Sequence, residues 1–413
     1  MSSNVLNTLR VAMLLAMAGT LAPVSAAVLV QCPGDTDGDA VPNHPDPKHP
    51  NAKCMHLSGG DGFATMADGK VLYTFGFSDL TGVPESGAMT AGELAANAPA
   101  PTIALKQGQE FFLTLTNVGM IMRPDLFDPH TVHFHGFPNA SSVFDGVPDA
   151  SISINGGSSL TYYYNIVEPG TYMYHCHVEA TEHMQMGMLG NLYVLAGQNE
   201  LPDGTDLNGF THHTGDKYVY NDQDGSTFYD VEYPIQIGSF DPNFHDLHIN
   251  VQPLPFAEMH DRYALLNGRG YPDTVNSGAL PGPDENGNIQ SQKVSSLITA
   301  TQGQKVLLRI SNLNVTRYYT LTALGLPMRV VGTGARQMRG PDPDGAGPLL
   351  GKNTDFQTNS VTLGGGEGMD VIIDTTGVTP GTYFLYTTNL NYLSNDQEDY
   401  GGMMTEIHIG PAA

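Results

Sequence analysis

The chain has 413 residues, more than one hydrophobic core usually organises, which predicts two domains of roughly 150–200 residues. Only 14% of residues are charged while Gly (48) and Pro (28) are plentiful, a mixture that suits short strands joined by turns rather than long solvated helices. Seventeen basic residues against forty-two acidic ones give a net charge of −25, which argues against nucleic acid or an anionic membrane as partner. Cationic substrates, metal ions and basic redox partners fit that charge, and so does plain solubility.

Taken in chain order, Arg10 precedes the apolar run Val11 to Ala18, followed by Leu21-Ala22 and the small-residue site Val24-Ser25-Ala26. This pattern predicts a signal peptide over residues 1–26 and a periplasmic or secreted mature protein. No later apolar stretch approaches the ~20 residues of a transmembrane helix, so no membrane span is expected. Residues 27–58 read as a polar lead-in. Within it Cys32 and Cys54 flank a short loop and form the natural disulfide of an exported protein, leaving Cys176 unpaired. Asp35, Asp37 and Asp39 alternate around Gly38, as carboxylates that wrap Ca2+ do, but the helix and closing Glu of an EF-hand are missing. A calcium clip and a solvated acidic loop fit the pattern equally.

Alternating β-type runs follow at residues 71–75, 110–117, 151–154, 160–164 and 192–195, placing a first domain at 59–197. A polar Gly/Asp-rich linker over 198–216 separates it from a second domain at 217–413. The second half repeats the first. Gly108-Gln109 is matched by Gly303-Gln304, the segment 130–138 by 319–327, Gly170-Thr171-Tyr172 by Gly381-Thr382-Tyr383, and Gly187-Met188 by Gly402-Met403. The architecture expected is an all-β, duplicated sandwich.

The chemistry concentrates in Tyr174-His175-Cys176-His177, at the end of a predicted strand. Neighbouring side chains on extended backbone face opposite ways, so Cys176 turns to one side and His175 and His177 to the other. On the preceding histidine-rich strand, His133 and His135 share a face and His130 tends to the opposite one. Two clusters result. His130 and Cys176, joined by His183 and Met188 from the following loop, supply two imidazoles, a thiolate and a thioether, the ligand set of a blue-copper electron-transfer site. His133, His135, His175 and His177 form the second cluster. A lone His-x-His pair is more often structural, but this ordered spacing specifies six imidazoles, a thiolate and a thioether together.

From about residue 60 onward the chain resembles the multicopper oxidases. The likeness rests on His130-Thr131-Val132-His133-Phe134-His135-Gly136, on His175-Cys176-His177 with His183 and Met188, and on the turn Asp145-Gly146-Val147-Pro148. It implies two cupredoxin-like Greek-key β-sandwich domains and copper as cofactor. It also implies type 1 copper on His130, Cys176, His183 and Met188. His133, His135, His175 and His177 would be the first domain's share of a trinuclear cluster, with Asp145 relaying protons. The spacing from His177 to His183 matches two-domain bacterial laccases, which assemble as trimers. The departure lies in the second domain. Where that family places four further histidines, this chain has Tyr319, Thr322 and Leu324, then Tyr386, Thr387 and Thr388.

His212, His213, His245, His248, His260 and His408 lack the family's spacing and read as structural or surface residues before replacement ligands. Met184, Met186, Met403 and Met404 read as packing before a soft cuprous-ion surface. Gly364-Gly365-Gly366 reads as a turn. The leading functional expectation is a copper-dependent oxidoreductase fed by a small-molecule or protein electron donor. The alternatives are a non-enzymatic blue-copper carrier or copper-binding protein and, third, nitrite-reductase-like chemistry.

Overall fold

The computed structural model describes residues 28–250, 253–340 and 351–412; the expected signal peptide lies outside them. The first domain packs two four-stranded sheets face to face. One has the order β2 (Val71–Asp79), β1 (Ala52–Thr65), β4 (Glu110–Gly119), β6 (Ser159–Asn165). The other has the order β3 (Ala100–Lys106), β8 (Leu189–Leu195), β7 (Gly170–His175), β5 (His133–His135). Pairings β1–β4 and β3–β8 are parallel and the rest antiparallel. Alternation explains the closure. Phe111, Leu113 and Leu115 on β4 point inward opposite Tyr164, Tyr162 and Leu160, and the first two pairs are fully buried.

Three expectations need correction. Strand β1 begins at Ala52, inside the segment read as lead-in, and runs through the expected boundary at residue 58. Its Ser58-Gly59-Gly60-Asp61-Gly62 stretch has poor strand composition. The glycines are there because a Cβ at Gly60 would lie 2.7 Å from Val118 and one at Gly62 3.1 Å from Ala96. The run 151–154 is no strand: Ile154 makes a single bridge to His130, exchanging backbone bonds of 3.0 and 2.9 Å. The segment read as a polar linker also carries strands. It holds the hairpin β9 (Asp206–Leu207) and β10 (Phe210–Thr211), turned by Asn208-Gly209 with both residues at positive φ. A second hairpin, β11 (Lys217–Tyr218) with β12 (Phe228–Tyr229), leads into the second domain.

There, one sheet runs β14 (Tyr263–Leu266), β13 (Val231–Phe240), β16 (Lys305–Asn312), β22 (Glu367–Asp374), β18 (Met328–Thr333), β19 (Arg336–Gln337), with β20 (Phe356–Thr358) also on β18. The other runs β15 (Ile298–Thr301), β24 (Met404–Gly410), β23 (Gly381–Thr387), β17 (Tyr319–Ala323), β21 (Ser360–Leu363). Strands β13, β16 and β22 correspond to β1, β4 and β6; β15, β24, β23 and β17 correspond to β3, β8, β7 and β5. The duplication extends to register, since His133 opposite His175 has its counterpart in Thr322 opposite Tyr386.

The two sandwiches share a buried seam of Ala64, Met66, Leu72 and Ala98 against Phe240, Tyr263 and Leu265. Buried Arg309 of the second domain pairs with Glu232 at 2.6 Å and stacks over Tyr193 of the first at 4.6 Å. Cys32 and Cys54 form a disulfide, tying the lead-in to β1. Three helices are short: α1 (Glu85–Gly92), α2 (Ala180–Met186) and α3 (Pro242–His248). Among the described residues no helix is long and apolar enough to cross a membrane.

Candidate metal centre

Strand β7 ends at His175, so Cys176 and His177 lie just beyond the ladder, yet the expected facing holds. Cys176 Sγ is fully buried, 3.2 Å from His183 Nδ1 and 4.0 Å from His130 Nδ1. The bridge to Ile154 fixes the backbone of His130, and α2 presents His183, which lies one turn before the Gly187 cap. Met188 follows that cap, and its backbone carbonyl accepts a bond from Cys176 N at 3.2 Å. The thioether and the imidazole meet over Gly59: a Cβ there would lie 2.9 Å from the His130 ring and 3.5 Å from the Met188 methyl.

These residues fit a copper ion by their own chemistry. The Nδ1 atoms of His130 and His183 both face the buried Cys176 sulfur, and the space at Gly59 keeps the His130 ring and the thioether side by side. Burial pushes His130 down to about 3 and His183 well below its ordinary value, so both rings are neutral and able to ligate. Burial likewise pushes the Cys176 thiol up to about 11, so a metal must ionise it. The Thr131 N–H, 3.5 Å from Sγ, opposes that shift and would steady a thiolate.

Gly59 had no chemical signal in the sequence. Gly59→Ala is expected to push the His130 ring aside, alter the visible spectrum of the copper-loaded protein and cost ~1–3 kcal/mol as overpacking does. Visible absorption and the urea midpoint measure the two effects.

The second cluster lies on the opposite side of the same segment. Ring centroids of His133 stand 6.0, 5.3 and 5.1 Å from those of His135, His175 and His177. His133 Nδ1 donates to the Asp145 carbonyl at 2.6 Å and His175 Nδ1 to the Cys176 carbonyl at 2.8 Å, which leaves the Nε2 lone pairs of both for a ligand. The Asp145 carboxylate is 3.7 Å from His133 Nδ1 and partly open to water. Burial pushes His175 down to about 3 and lowers His135, keeping those two imidazoles neutral.

All four rings line a cavity of about 510 Å³ whose far wall is the chain's own second domain, at residues 313–318 and 365–366. That wall offers Asn314, Thr316, Arg317 and Tyr318 but no imidazole. Tyr319, Thr322 and Leu324 and the segment 386–388 do not line it. The Gly364 to Gly366 turn does more than reverse the chain: Gly366, at φ +87°, lets the His135 ring approach to 2.9 Å from where a Cβ would stand.

The six histidines that lack the family's spacing are committed elsewhere. His245 bonds to the carbonyls of Tyr73 and Gln185, His248 pairs with Glu182 at 2.6 Å, and His212 bonds to Tyr218 and Leu201. His213 meets Asp203, His260 meets Arg317, and His408 meets Glu406. Met403 packs in the second core and Met186 in the first; Met184 alone of the four lines the cavity. Asp35, Asp37 and Asp39 bring carboxylate oxygens within 4.8 Å of one another. Asp35 already accepts the N–H groups of Asp37, Gly38 and Ala40.

One pH dependence follows. His56 and His245 are held near 4, His130 and His175 near 3, and His183 lower than its usual range, all by burial. Below about pH 6.5 the unfolded chain binds protons that these rings refuse, so the copper-free fold loses stability as pH falls from 6.5 toward 4. Each ring contributes up to ~1.4 kcal/mol per pH unit in that window. Asp61, Asp128, Glu179 and Asp273, raised by burial, act oppositely but are fewer than these five rings. Urea midpoints between pH 7 and pH 4 measure the fall.

The multicopper oxidase family pattern matches residues 83–199, and a second multicopper oxidase pattern matches residues 257–407. Over 80 residues the chain is 35% identical to the multicopper oxidase MmcO of Mycobacterium tuberculosis, a stretch covering 19% of this chain and 14% of that protein. The match thus spans about a seventh of that relative's length. A blue copper oxidase from Nitrosomonas europaea superposes with a TM-score of 0.60 at 20% identity, covering 87% of this chain and 86% of that one. A copper nitrite reductase from the same organism reaches 0.53 at 14% identity, covering 87% and 94%. At such identities the structural likeness is one of fold. The two matched segments together take in well over half of the sequence, and with the all-β sandwich pair they lead to one conclusion: the chain belongs to the multicopper oxidase family.

Proposed function

We propose that the chain is a copper-dependent oxidoreductase. It passes electrons from an external reductant through a type 1 copper on His130, Cys176, His183 and Met188 to a second copper site on His133, His135, His175 and His177. Copper, when bound, supplies one-electron redox chemistry at both places. The observation that carries the reading is the 2.8 Å bond from His175 Nδ1 to the Cys176 carbonyl. It links a ligand of one site to a ligand of the other within one peptide unit. Thr131 supports both sides, since its N–H faces Cys176 Sγ and its hydroxyl accepts His177 N at 3.1 Å. Asp145, at the rim beside His133, is the group suited to exchange protons with water.

A second reading, a non-enzymatic carrier, is favoured by the far wall of the cavity, which contributes no imidazole. Four imidazoles hold one copper well or two poorly, not three with normal coordination. The nitrite-reductase-like reading has the shared fold alone in its favour. Export of the chain, a homotrimer and a bound Ca2+ near Asp35 belong to the same set of proposals; sedimentation tests the trimer and calcium titration the loop. The decisive experiment is copper content per chain with electron paramagnetic resonance. Two or more coppers, one of them type 1, are expected. A single type 1 copper with neither oxidase nor nitrite-reductase activity would remove the enzymatic reading.

A further inference from the structure

Helix α2 carries His183 and ends at Met186, just before the Gly187 cap that leads to Met188, so its position sets two of the four candidate ligands of the Cys176 centre. A helix of 7 residues does not hold itself together in water, and tertiary contacts must place it. One of those contacts crosses into the second domain. Gln185 Nε2 donates to Asp261 Oδ1 at 3.0 Å, and both side chains are buried.

Asp261 stands just before β14. Its second oxygen, Oδ2, accepts the hydroxyl of Ser239 on β13 at 2.6 Å and the hydroxyl of Thr316. Ser239 anchors the carboxylate beside Phe240, a residue of the domain seam. Thr316 belongs to the far wall of the four-histidine cavity. The wall is itself a tight turn, because Asn314 Oδ1 accepts the N–H groups of Thr316 and Arg317 at 3.2 and 2.8 Å.

A carboxylate offers acceptors alone, so three donors from three segments all depend on this one group. The other ties of α2 lead elsewhere. Glu182 pairs with His248, and the Gln185 carbonyl meets His245; both histidines sit on α3 and neither lines the cavity. Through Asp261, by contrast, two hydrogen bonds separate the ligand helix from the cavity wall.

We propose that Asp261 is a positioning residue for both metal sites. It holds the ligand helix of the Cys176 centre and the far wall of the four-histidine cavity in a fixed relation across the domain boundary. None of its three partners is a candidate copper ligand, so it acts through Gln185 on one side and Thr316 on the other. The inference rests on the two-site reading and gives the second domain, bare of imidazoles at the cavity, a part in the reaction.

The test uses the copper-loaded full chain. Electron paramagnetic resonance reads each copper, and pulsed reduction reads the rate of electron transfer from the blue site to the second one. Asp261→Ala is expected to change the hyperfine splitting of both coppers and to slow the transfer at least ~10-fold, as a small displacement does. Asp261→Asn should restore wild-type signals and rate. Its carbonyl still accepts from Gln185, and its amide donates to the two hydroxyls. An Asn variant that behaves like the Ala variant would show that charge matters rather than position, and overturns the proposal. Should the Ala variant not fold, Gln185→Leu and Thr316→Val each cut one arm alone. Thr316→Val is expected to shift the type 1 signal from the cavity wall, and to add no shift in the Gln185→Leu background. A type 1 signal indifferent to Thr316→Val, or shifted equally in both backgrounds, overturns the proposal as well. A wild type that binds a single copper would instead sink the two-site reading, and this inference with it.

Discussion

Cys176→Ser is expected to abolish the blue colour of the copper-loaded protein and to slow turnover at least ~1000-fold, equivalent to ~4 kcal/mol of barrier. The reason is protonation. A serine hydroxyl cannot be ionised by copper as a thiol can, so the thiolate ligand and its charge-transfer colour vanish together. The fold should survive, because the copper-free thiol is already neutral, held near 11 by burial. The Thr131 N–H and Val178 carbonyl that meet Sγ are also suitable partners for a hydroxyl. Visible absorption and steady-state turnover test the first statement, and the copper-free urea midpoint tests the second. A variant that stayed blue would overturn the assignment of Cys176 as ligand.

His133→Ala/His135→Ala is expected to separate the two sites. The blue colour and its bleaching by a reductant should persist, because neither ring touches Cys176. Copper content should fall, and turnover with an external acceptor should drop at least ~100-fold, or ~2.7 kcal/mol. The fold loses little: His133 gives up its bond to the Asp145 carbonyl at a rim that water can reach. Copper analysis, absorption and turnover read the three effects separately. Turnover equal to the wild type would favour the carrier, since a pure electron carrier has no use for the second cluster.

Much of the site was legible because it is written within short segments. His133 and His135 share a face by strand parity, and Cys176 is turned away from its two histidine neighbours by the same rule. His183 and Met188 follow within a dozen residues of Cys176. Residues 151–154 misled because β-type composition cannot say whether a partner strand is present, and here Ile154 meets His130 alone. Strand β1 was missed for the opposite reason. Its glycines weaken the local signal, and what makes it a strand is the close approach of Val118, Ala96 and the His130 ring.

The sequence by itself determined the duplication, the unpaired cysteine and the partition of the candidate ligands into two sets, because each depends on repeat order or on extended-chain geometry over a few residues. The tertiary structure alone decided which part of the second domain closes over the four histidines. It also decided that Gly59 and Gly366 make room for imidazoles, and that Gln185 and Thr316 meet on Asp261. These are packing relations between distant segments, and two of the residues concerned have no side chain at all. Local pattern could not register them, because what matters at each is the space a neighbour fills.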